Sequence, residues 1–378
     1  MTRVHLVDIR AANFRNLAAD RILLSEGTNL LVGGNGAGKT SCLEAVAMLG
    51  NLRSFRTPSL RQVAAHGHTE LLVEGRVATA RATFSLRQKV TVGPPVQRTL
   101  EVAGAAATVA EYLQVMPVLA LSGADRELVA GPPAVRRSLL DRFTFLLEPP
   151  YFDELRQYSR VLRQRNAALG AGVGDREMEA WEARLAATAA VVVVRRRTSC
   201  DRLAAAFGPV YESLRGGSFP SISVNYRGEA TIEAAECCAE VEEYYRKRYT
   251  ETRVRDRQTG FTGEGPHRHD VDLRANGKAV RYVLSSGQTK VVAAALRLAS
   301  LTDVEDHRGE RFPVVIDDVD AELDPRVLSR LIGHLEGERQ LLLSSAIGVV
   351  SGQLGERAKR YLVSDGTITE QAGERAHE

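Results

Sequence analysis

The sequence has few cysteines, no long hydrophobic run and no apolar segment at its N-terminus. Its four cysteines include no CxxC pair, which argues against a zinc site and against a disulfide scaffold. No apolar stretch approaches the roughly 18–20 residues that are needed to cross a bilayer. The first residues also lack the hydrophobic region of a secretion signal. We therefore expect no membrane association and a location in the reducing cytoplasm.

The charge is nearly balanced, since the 378 residues carry a formal net charge of +3 at pH 7. A balance this close to neutral gives no general attraction to nucleic acid. Six lysines stand against 44 arginines, a ratio that is typical of GC-rich coding bias. Arginine clusters can still bind phosphates locally, although residues 195–197 are most simply a solvated helix face. The clusters are residues 136–137, 160–165, 195–197, 246–256 and 266–268.

The hydrophobic pattern divides the chain into an α/β part and a mainly helical part. Strand-like runs extend from residue 3 to 33 and from 70 to 121, where they predict an antiparallel β meander. Between them, residues 38–50 favour a helix. Strands return after residue 261, at residues 314–316 and 341–343.

The helical part interrupts the α/β part from about residue 134 to residue 260. Two apolar stripes at helical spacing are joined by the glycine-rich residues 170–175. This pattern predicts an antiparallel helix pair with Trp181 in its core. The second helix is predicted to end at Gly208–Pro209, because proline disfavours a helix interior.

Residues 33–40 match the GxxxxGK[ST] pattern between a predicted strand and a predicted helix. Glycines there let backbone N–H groups close around phosphates, and the helix N-terminus adds its positive dipole end. Lys39 can reach the β- and γ-phosphates, and the Thr40 hydroxyl can bind Mg²⁺. The motif predicts a nucleoside triphosphate site, with ATP and Mg²⁺ as cofactors. The predicted binding residues are Gly33, Gly34, Asn35, Gly36, Ala37, Gly38, Lys39, Thr40 and Ser41.

A second motif follows a short apolar run. The apolar residues 314–316 lead into Asp317 and Asp318, as in a buried central strand whose end meets a metal ion. The first acid is expected to hold Mg²⁺ directly or through water, together with Thr40. The second acid is expected to orient or deprotonate the attacking water. We therefore predict Asp317 as a metal ligand and Asp318 as a catalytic residue.

Residues 284–288, Leu-Ser-Ser-Gly-Gln, resemble the LSGGQ signature of ABC-type ATPases, and residues 321–325 resemble the D-loop of that class. The resemblance implies an α/β fold: an ABC-type ATPase head, which is a P-loop NTPase with a mixed sheet and an antiparallel β meander, carrying an inserted, mainly helical second lobe. It also implies that Ser285 is catalytic, because the signature serine of this class meets the γ-phosphate bound by a second subunit. The implied segments are an ATPase part at 1–125, a helical lobe at 126–258 and a second ATPase part at 259–378.

Further strings resemble the RecF family of bacterial DNA replication and repair proteins. They extend over essentially the whole chain, at residues 14–17 (Phe-Arg-Asn-Leu), 53–56 (Arg-Ser-Phe-Arg), 125–141, 164–166 and 265–268. The segment between Lys39 and Ser285 is too long for a transporter subunit and too short for a protein with long coiled coils. The resemblance implies that Arg15 approaches the nucleotide phosphates.

By this resemblance, the protein is an ATP-dependent recombination mediator that forms a homodimer on ATP and binds single-stranded and duplex DNA, at gaps. The implied partners are RecR- and RecO-type mediators, in recombinase loading and SOS-linked repair. Three departures predict slow, switch-like ATP hydrolysis. His269 replaces an acid of the family's GPHRDD string, Asp318 stands where most ABC proteins have glutamate, and Ser344–Ser345 replace an expected switch histidine.

Two other functions remain open from the sequence. A RecF-like ATPase with another DNA-maintenance or defence role would keep the same phosphate-binding motifs. A structural DNA clamp without hydrolysis would have a degenerate nucleotide site, and the intact Lys39, Asp317 and Ser285 argue against it.

Overall fold

The computed structural model describes residues 1–216, 219–229, 232, 235, 237–319, 324–346 and 358–371. The strands in these ranges are β1 (Thr2–Arg3), β2 (His5–Ala12), β3 (Arg21–Leu23), β4 (Thr28–Val32), β5 (Glu70–Ala78), β6 (Thr83–Thr91), β7 (Gln97–Val102), β8 (Ala105–Ala106), β9 (Leu119–Leu121), β10 (Ile222–Arg227), β11 (Asp270–Ala275), β12 (Lys278–Ala279), β13 (Glu310–Arg311), β14 (Val314–Ile316), β15 (Leu341–Ser345), β16 (Lys359–Ser364) and β17 (Thr367–Glu370). The helices are α1 (Lys39–Asn51), α2 (Leu60–Val63), α3 (Val109–Val115), α4 (Glu127–Ala130), α5 (Pro133–Leu147), α6 (Tyr151–Ala171), α7 (Asp175–Leu214), α8 (Cys238–Thr259), α9 (Ser286–Arg308) and α10 (Pro325–Leu335). Within the described ranges, no helix combines the length and the apolar character of a membrane span.

Tertiary contacts divide the chain into two compact units. The first comprises Met1–Arg126, Val210–Gly217 and Ser285–Glu378, and the second comprises Glu127–Pro209 and Ser218–Leu284. The second unit is mainly helical and contains the small antiparallel sheet β10-β11-β12. The segment bounds predicted from the sequence remain a prediction.

The first unit contains a six-stranded sheet in the order β17-β16-β4-β15-β14-β9. Neighbouring strands are parallel except β16 and β17, which form an antiparallel hairpin. The runs Val314–Ile316 and Leu341–Leu343 are fully buried, as is usual for central strands of a parallel sheet. Because parallel strands end at one edge, the C-terminal ends of β4, β14, β15 and β16 lie side by side.

A second sheet of the first unit has the order β3-β2-β5-β6-β7-β8 and is antiparallel throughout. Burial alternates along β5, where Leu71, Val73 and Val77 are buried while Glu70 and Arg76 are exposed. This is the two-residue period of a sheet with one solvated face. The predicted meander is confirmed, and so is the predicted mixed α/β head.

The predicted antiparallel helix pair is confirmed as α6 and α7. α6 ends at Ala171 and is capped by Gly172, whose φ of +66° is the left-handed conformation of a helix C-terminus. Ala168 and Leu169 of α6 pack with Met178 of α7, and Trp181 packs against this cluster. Trp181 packs on the core of the pair, as predicted, but it is half-buried and lies at the edge of that core.

The predicted end of the second helix is wrong, because α7 continues through Pro209 to Leu214. Proline removes one helical hydrogen bond and crowds the preceding turn. The apolar stripe nevertheless continues on both sides of it, since Phe207, Val210 and Leu214 are all buried. Burial of these side chains offsets the local cost of the proline.

The prediction of a solvated face at residues 195–197 is also wrong. Arg196 is buried, and its guanidinium donates to both carboxylate oxygens of Asp141 at 2.7 and 2.9 Å. Arg195 donates to the carboxylate of Glu154 at 3.2 Å. Arg197 donates to the backbone carbonyl of Ala235 at 2.6 Å. The planar fork of arginine suits such internal ion pairs, so a run of three arginines need not face solvent.

Arginine also forms the polar interior of the second unit. Arg165 has no exposed surface and donates to Asp256 at 2.7 Å and to Glu182 at 3.2 Å. Arg136 is buried and donates to both carboxylate oxygens of Asp270 at 2.8 Å. These pairs have structural roles, so only part of the arginine excess remains for external partners.

The two histidines that follow Pro266 are internal as well. Nδ1 of His267 lies 2.6 Å from the hydroxyl of Tyr158, and its Nε2 lies 3.1 Å from the backbone carbonyl of Thr262. Burial lowers the pKa of His267 to about 4, so this side chain is neutral near pH 7. His269 stands where the GPHRDD string of the RecF family has an acid. It is buried, and its Nε2 lies 2.6 Å from a carboxylate oxygen of Glu229.

Candidate functional site

Neighbouring parallel strands bring the candidate site to one edge of the central sheet. β4 leads into the phosphate loop at residues 33–38, and β14 leads into Asp317 and Asp318. β15 lies between these two strands and carries Ser344 at its end. The two predicted motifs are 277 positions apart at Thr40 and Asp317, and the strand order makes them neighbours.

Glycine conformation and Lys39 together shape the phosphate loop. Gly36 and Gly38 have φ values of +78° and +117°, in a region that glycine adopts without steric cost. Nζ of Lys39 donates to the carbonyl oxygens of Gly33 at 2.6 Å and of Gly34 at 2.9 Å. α1 begins at Lys39, so the positive end of its dipole lies at the loop.

The loop borders a cleft of about 440 Å³, a volume within the usual range of ligand sites. The cleft is lined by the predicted residues from Asn35 to Ser41, by both predicted acids and by Arg15. Three polar residues that were noted in the sequence but not assigned to the site also line it, namely Asn16, Arg56 and Ser344. Gly33 and Gly34 lie at the start of the loop, where their carbonyls bind Lys39.

Thr40, Asp317 and Ser344 form one hydrogen-bonded group. Oγ1 of Thr40 donates to Oδ1 of Asp317 at 2.9 Å, and Oγ of Ser344 donates to the same oxygen at 2.8 Å. The backbone N–H of Asp318 donates to Ser344 Oγ at 2.8 Å. Sequence reasoning missed Ser344 because it expected a histidine there. The available signal was a polar residue directly after the buried apolar run Leu341–Leu343.

Arg15 lies in the cleft lining, and its guanidinium is bound by Glu44 of α1. Its Nε and one terminal nitrogen donate to the two carboxylate oxygens of Glu44 at 2.9 and 2.8 Å. Glu44 is fully buried and also accepts from Arg56 at 3.4 Å. One buried carboxylate thus fixes two cationic side chains at the rim of the phosphate loop. The predicted approach of Arg15 to phosphate remains a prediction.

Asn16 contacts the phosphate loop and the first turn of α1 through its side-chain amide. Its Nδ2 donates to the carbonyl of Gly36 at 3.0 Å, and its Oδ1 accepts from Ser41 Oγ at 2.8 Å. The hydroxyl of Ser41, which the sequence assigned to nucleotide binding, therefore points to Asn16. Nothing in the spacing of Asn16 from the GxxxxGK[ST] motif predicted this contact.

Ser285 is not among the residues that line the cleft. It is the exposed N-cap of α9, where its hydroxyl accepts the N–H of Gln288 at 3.3 Å and its own N–H donates to Gln288 Oε1 at 3.0 Å. This reciprocal pair is a capping box. Of the string that resembles a D-loop, residues 321–323 lie outside the described residues, and Asp324 caps α10.

Cys42 follows the phosphate loop on α1 and is fully buried. Burial raises the pKa of its thiol to about 12. The thiolate form, which would be the nucleophile, is therefore almost absent at neutral pH. The chemistry of the cleft belongs to its carboxylates, hydroxyls and cations.

Comparison with known proteins gives one consistent set of similar sequences. The family model of the RecF/RecN/SMC N-terminal domain matches residues 5–358. The DNA replication and repair protein RecF of Anaeromyxobacter dehalogenans (strain 2CP-C) is 33% identical over 335 residues, which cover 87% of this chain and 89% of that protein. The protein of the same name from Vibrio cholerae is 31% identical over 365 residues, which cover 94% of this chain and 96% of the relative.

Solved structures are similar over the same extent. A structure of the recombination mediator protein RecF-ATP in the RecFOR pathway has a TM-score of 0.88 and 26% identity, with 98% of each chain covered. An Smc head bound to the C-winged helix domain of ScpA has a TM-score of 0.54 at 15% identity, with 98% of this chain and 99% of that chain covered. The second similarity concerns the fold alone, and both agree with an ABC-type head.

Proposed function

The chain belongs to the RecF family, and we propose that it is an ATP-dependent DNA replication and repair protein whose cleft binds ATP. One observation carries the ATP part of this proposal. The glycine-rich loop before α1 lies beside an acid that Thr40 contacts at 2.9 Å, which is the arrangement that phosphoryl-transfer proteins of the P-loop class use.

The phosphates would be bound mainly by the backbone. N–H groups of residues 36–40 and the N-terminus of α1 supply donors and a positive dipole end for negative oxygens. Lys39 adds a full positive charge. Its ammonium group donates to two loop carbonyls and can donate to phosphate oxygens instead. The neighbouring Arg15 and Arg56 keep the rim of the cleft positive.

Thr40 and Asp317 fit a Mg²⁺ ion. In phosphate sites Mg²⁺ takes only one or two protein oxygens and completes its shell with phosphates and waters, and here one hydroxyl and one carboxylate meet at 2.9 Å. The ion would neutralise phosphate charge during hydrolysis. Ser344 holds the carboxylate orientation by donating to Oδ1.

Asp318 would orient or deprotonate the attacking water. Asp318 lines the same cleft as the phosphate loop, one residue after the proposed metal ligand. Its backbone N–H is fixed by Ser344 at 2.8 Å, which limits the positions that the side chain can reach. We infer slow hydrolysis that acts as a timer for DNA release.

Ser285 would act on the nucleotide of a second copy of the chain. It lies on an exposed helix start and outside the cleft of its own chain, while the Leu-Ser-Ser-Gly-Gln string resembles a loop that meets γ-phosphate across a dimer. ATP would therefore hold two heads together. This role of Ser285 and the homodimer are proposals that rest on the resemblance.

DNA phosphates would bind along one face of α6. Arg156, Arg160 and Arg163 follow the i, i+4, i+7 spacing of a single helix face and are all exposed, over roughly 10 Å of helix. Arg160 and Arg163 have no acidic partner among the described residues, and Arg156 has only Asp153 at 3.7 Å. These charges are available, in contrast to the buried Arg165 on the same helix.

The preferred DNA would be a gap beside a duplex, and the partners would be RecR- and RecO-type mediators. The test measures ATPase activity and DNA retention on gapped, single-stranded and duplex DNA, with and without RecR. We expect the longest retention on gapped DNA in ATP with RecR. Retention that is independent of nucleotide would favour a structural clamp, and retention unaffected by RecR would favour another DNA-maintenance role.

A further inference from the structure

The turn of the last hairpin touches the phosphate loop. β16 pairs in parallel with β4, up to Leu362 opposite Val32, so both strands end at the same edge. The residues that follow this pair, Gly33 and Val363, are also in close contact. A Cβ added to Gly33 would lie 2.3 Å from the carbonyl oxygen of Val363. The hairpin turn at Asp365–Gly366 therefore lies next to the loop that follows β4.

Gly366 is hydrogen-bonded to two segments that are distant in sequence. Its N–H donates to the carbonyl of Ala37 at 2.8 Å, and its own carbonyl accepts the N–H of Ala18 at 2.9 Å. A Cβ at Gly366 would lie 1.8 Å from the backbone oxygen of Asn16, which no side chain can tolerate. Only glycine allows this approach.

We propose that Asn16 and Gly366 form an outer brace that positions the phosphate loop for ATP, a role that rests on the proposed function of the cleft. Asn16 Nδ2 holds the carbonyl of Gly36, and Gly366 N–H holds the carbonyl of Ala37. With these carbonyls tied outward, the loop N–H groups are left to face phosphate. A glycine-rich loop is intrinsically flexible, so fixing it beforehand reduces the ordering cost of binding. Gly366 is a positioning residue, because it acts on ATP through the loop, and Asn16, which also lines the cleft, positions the loop through its contact with Gly36.

The chain supplies a matched control in the turn Ala103–Gly104. Its φ values of +53° and +81° nearly equal the +47° and +81° of Asp365–Gly366. A Cβ at Gly104 would meet nothing within 4 Å. Gly104→Ala therefore introduces the same backbone strain as Gly366→Ala without the collision with Asn16.

The experiment measures the Kd for ATP with Mg²⁺ by calorimetry for the full chain, well below each melting temperature. We expect Gly366→Ala to weaken binding 10-fold or more, Asn16→Ala about 5-fold, and Gly104→Ala less than 2-fold. A purely structural role would lower the melting temperature and leave the Kd of the folded protein unchanged.

Equal Kd values for Gly366→Ala and Gly104→Ala would overturn the brace. If Gly366→Ala does not fold, Asn16→Ala decides, and a wild-type Kd for that variant overturns the brace in the same way. Absence of ATP binding by the wild type would instead overturn the proposed function, so the two failures are distinguishable. Hydrogen exchange of the amides at residues 33–38 should be faster in both brace variants and unchanged in Gly104→Ala.

Discussion

Ser344 donates a 2.8 Å hydrogen bond to Oδ1 of Asp317 and accepts the backbone N–H of Asp318 with the same oxygen. One hydroxyl therefore fixes the orientation of the proposed metal ligand and the backbone of the proposed catalytic acid. Its position is a consequence of strand order, since β15 lies between β4 and β14.

Ser344→Ala should lower the ATPase rate about 10-fold while ATP binding stays within a few-fold of wild type. A hydrogen bond to a charged group contributes about 1.5–3 kcal/mol, and here it is needed for orientation more than for affinity. Ser344→Thr keeps the hydroxyl and should retain most of the rate. A rate in Ser344→Ala equal to that of the wild type would remove Ser344 from the mechanism.

Asp318→Asn should slow hydrolysis by about 10²–10⁴-fold and preserve ATP-bound dimers and their DNA complexes. Asparagine suits the test because Asp318 has φ +49°, and asparagine tolerates this left-handed region better than alanine does. DNA dissociation in ATP should become slower than for wild type. Faster dissociation would mean that hydrolysis does not release the DNA.

ATP should convert the protein from monomer to dimer. Light scattering at micromolar protein should give one chain mass without nucleotide and twice that mass with ATP and Mg²⁺. Lys39→Arg should keep some ATP affinity but not dimerise or hydrolyse, because a planar guanidinium cannot replace a point charge at the β- and γ-phosphates. An unchanged wild-type mass would contradict the proposed role of Ser285.

Arg160→Ala combined with Arg163→Ala should weaken DNA binding equally for all sequences and flatten its salt dependence. Each lost phosphate contact reduces the slope of log K against log salt by about 0.9 on duplex DNA, so the pair should reduce it by about 1.8. Arg176→Ala combined with Arg255→Ala removes two exposed arginines elsewhere in the same unit. If both pairs reduce the slope equally, net charge explains the loss and α6 is not the DNA surface.

The stability of the second unit should decrease between pH 7 and pH 5 because of His267. Burial lowers its folded pKa to about 4, against about 6.5 for the unfolded chain. The unfolded state therefore binds more protons in this window, and stability is lost as pH falls, by about 2 kcal/mol at pH 5. Urea unfolding followed by fluorescence reports this unit, since Trp181 is the one tryptophan of the sequence.

His267→Gln is the matched variant for this measurement, because glutamine keeps a donor and an acceptor but does not titrate. Its unfolding free energy should change less than that of the wild type from pH 7 to pH 5. Parallel pH profiles for the two proteins would show that His267 does not cause the loss.

The parts of the site that local motifs encode could be predicted from the sequence. The phosphate loop is defined by backbone conformation over a few residues, so Gly36, Gly38 and Lys39 are recognisable from spacing alone. The acids after β14 are recognisable because a buried strand forces an apolar run before them. The meander and the helix pair follow from the same periodicities, whereas the mixed sheet was implied by the resemblance to ABC-type ATPases.

Contacts between distant segments could not be predicted in this way. Asn16 and Ser344 reach the site through loop position and strand order, and no short spacing encodes either. The errors at Pro209 and at residues 195–197 have the same origin. Local rules for proline and for charge runs were overridden by apolar burial and by acids placed elsewhere in the chain, such as Asp141.

The strand order also determines when the nucleotide site can form during protein synthesis. Asn29 of β4 bonds to Tyr361 of β16, 332 positions later, and its other neighbour, β15, is also made late. At about 5–20 residues per second, β4 must remain without either neighbour for roughly 15–70 s. All residues of the second unit have been synthesised once the chain reaches Leu284. Among the described residues, the three strands of its sheet pair only with one another. The ribosome therefore completes the helical unit before the central sheet, and a nascent chain that ends before β15 carries a complete phosphate-binding motif after a strand that lacks both of its neighbours.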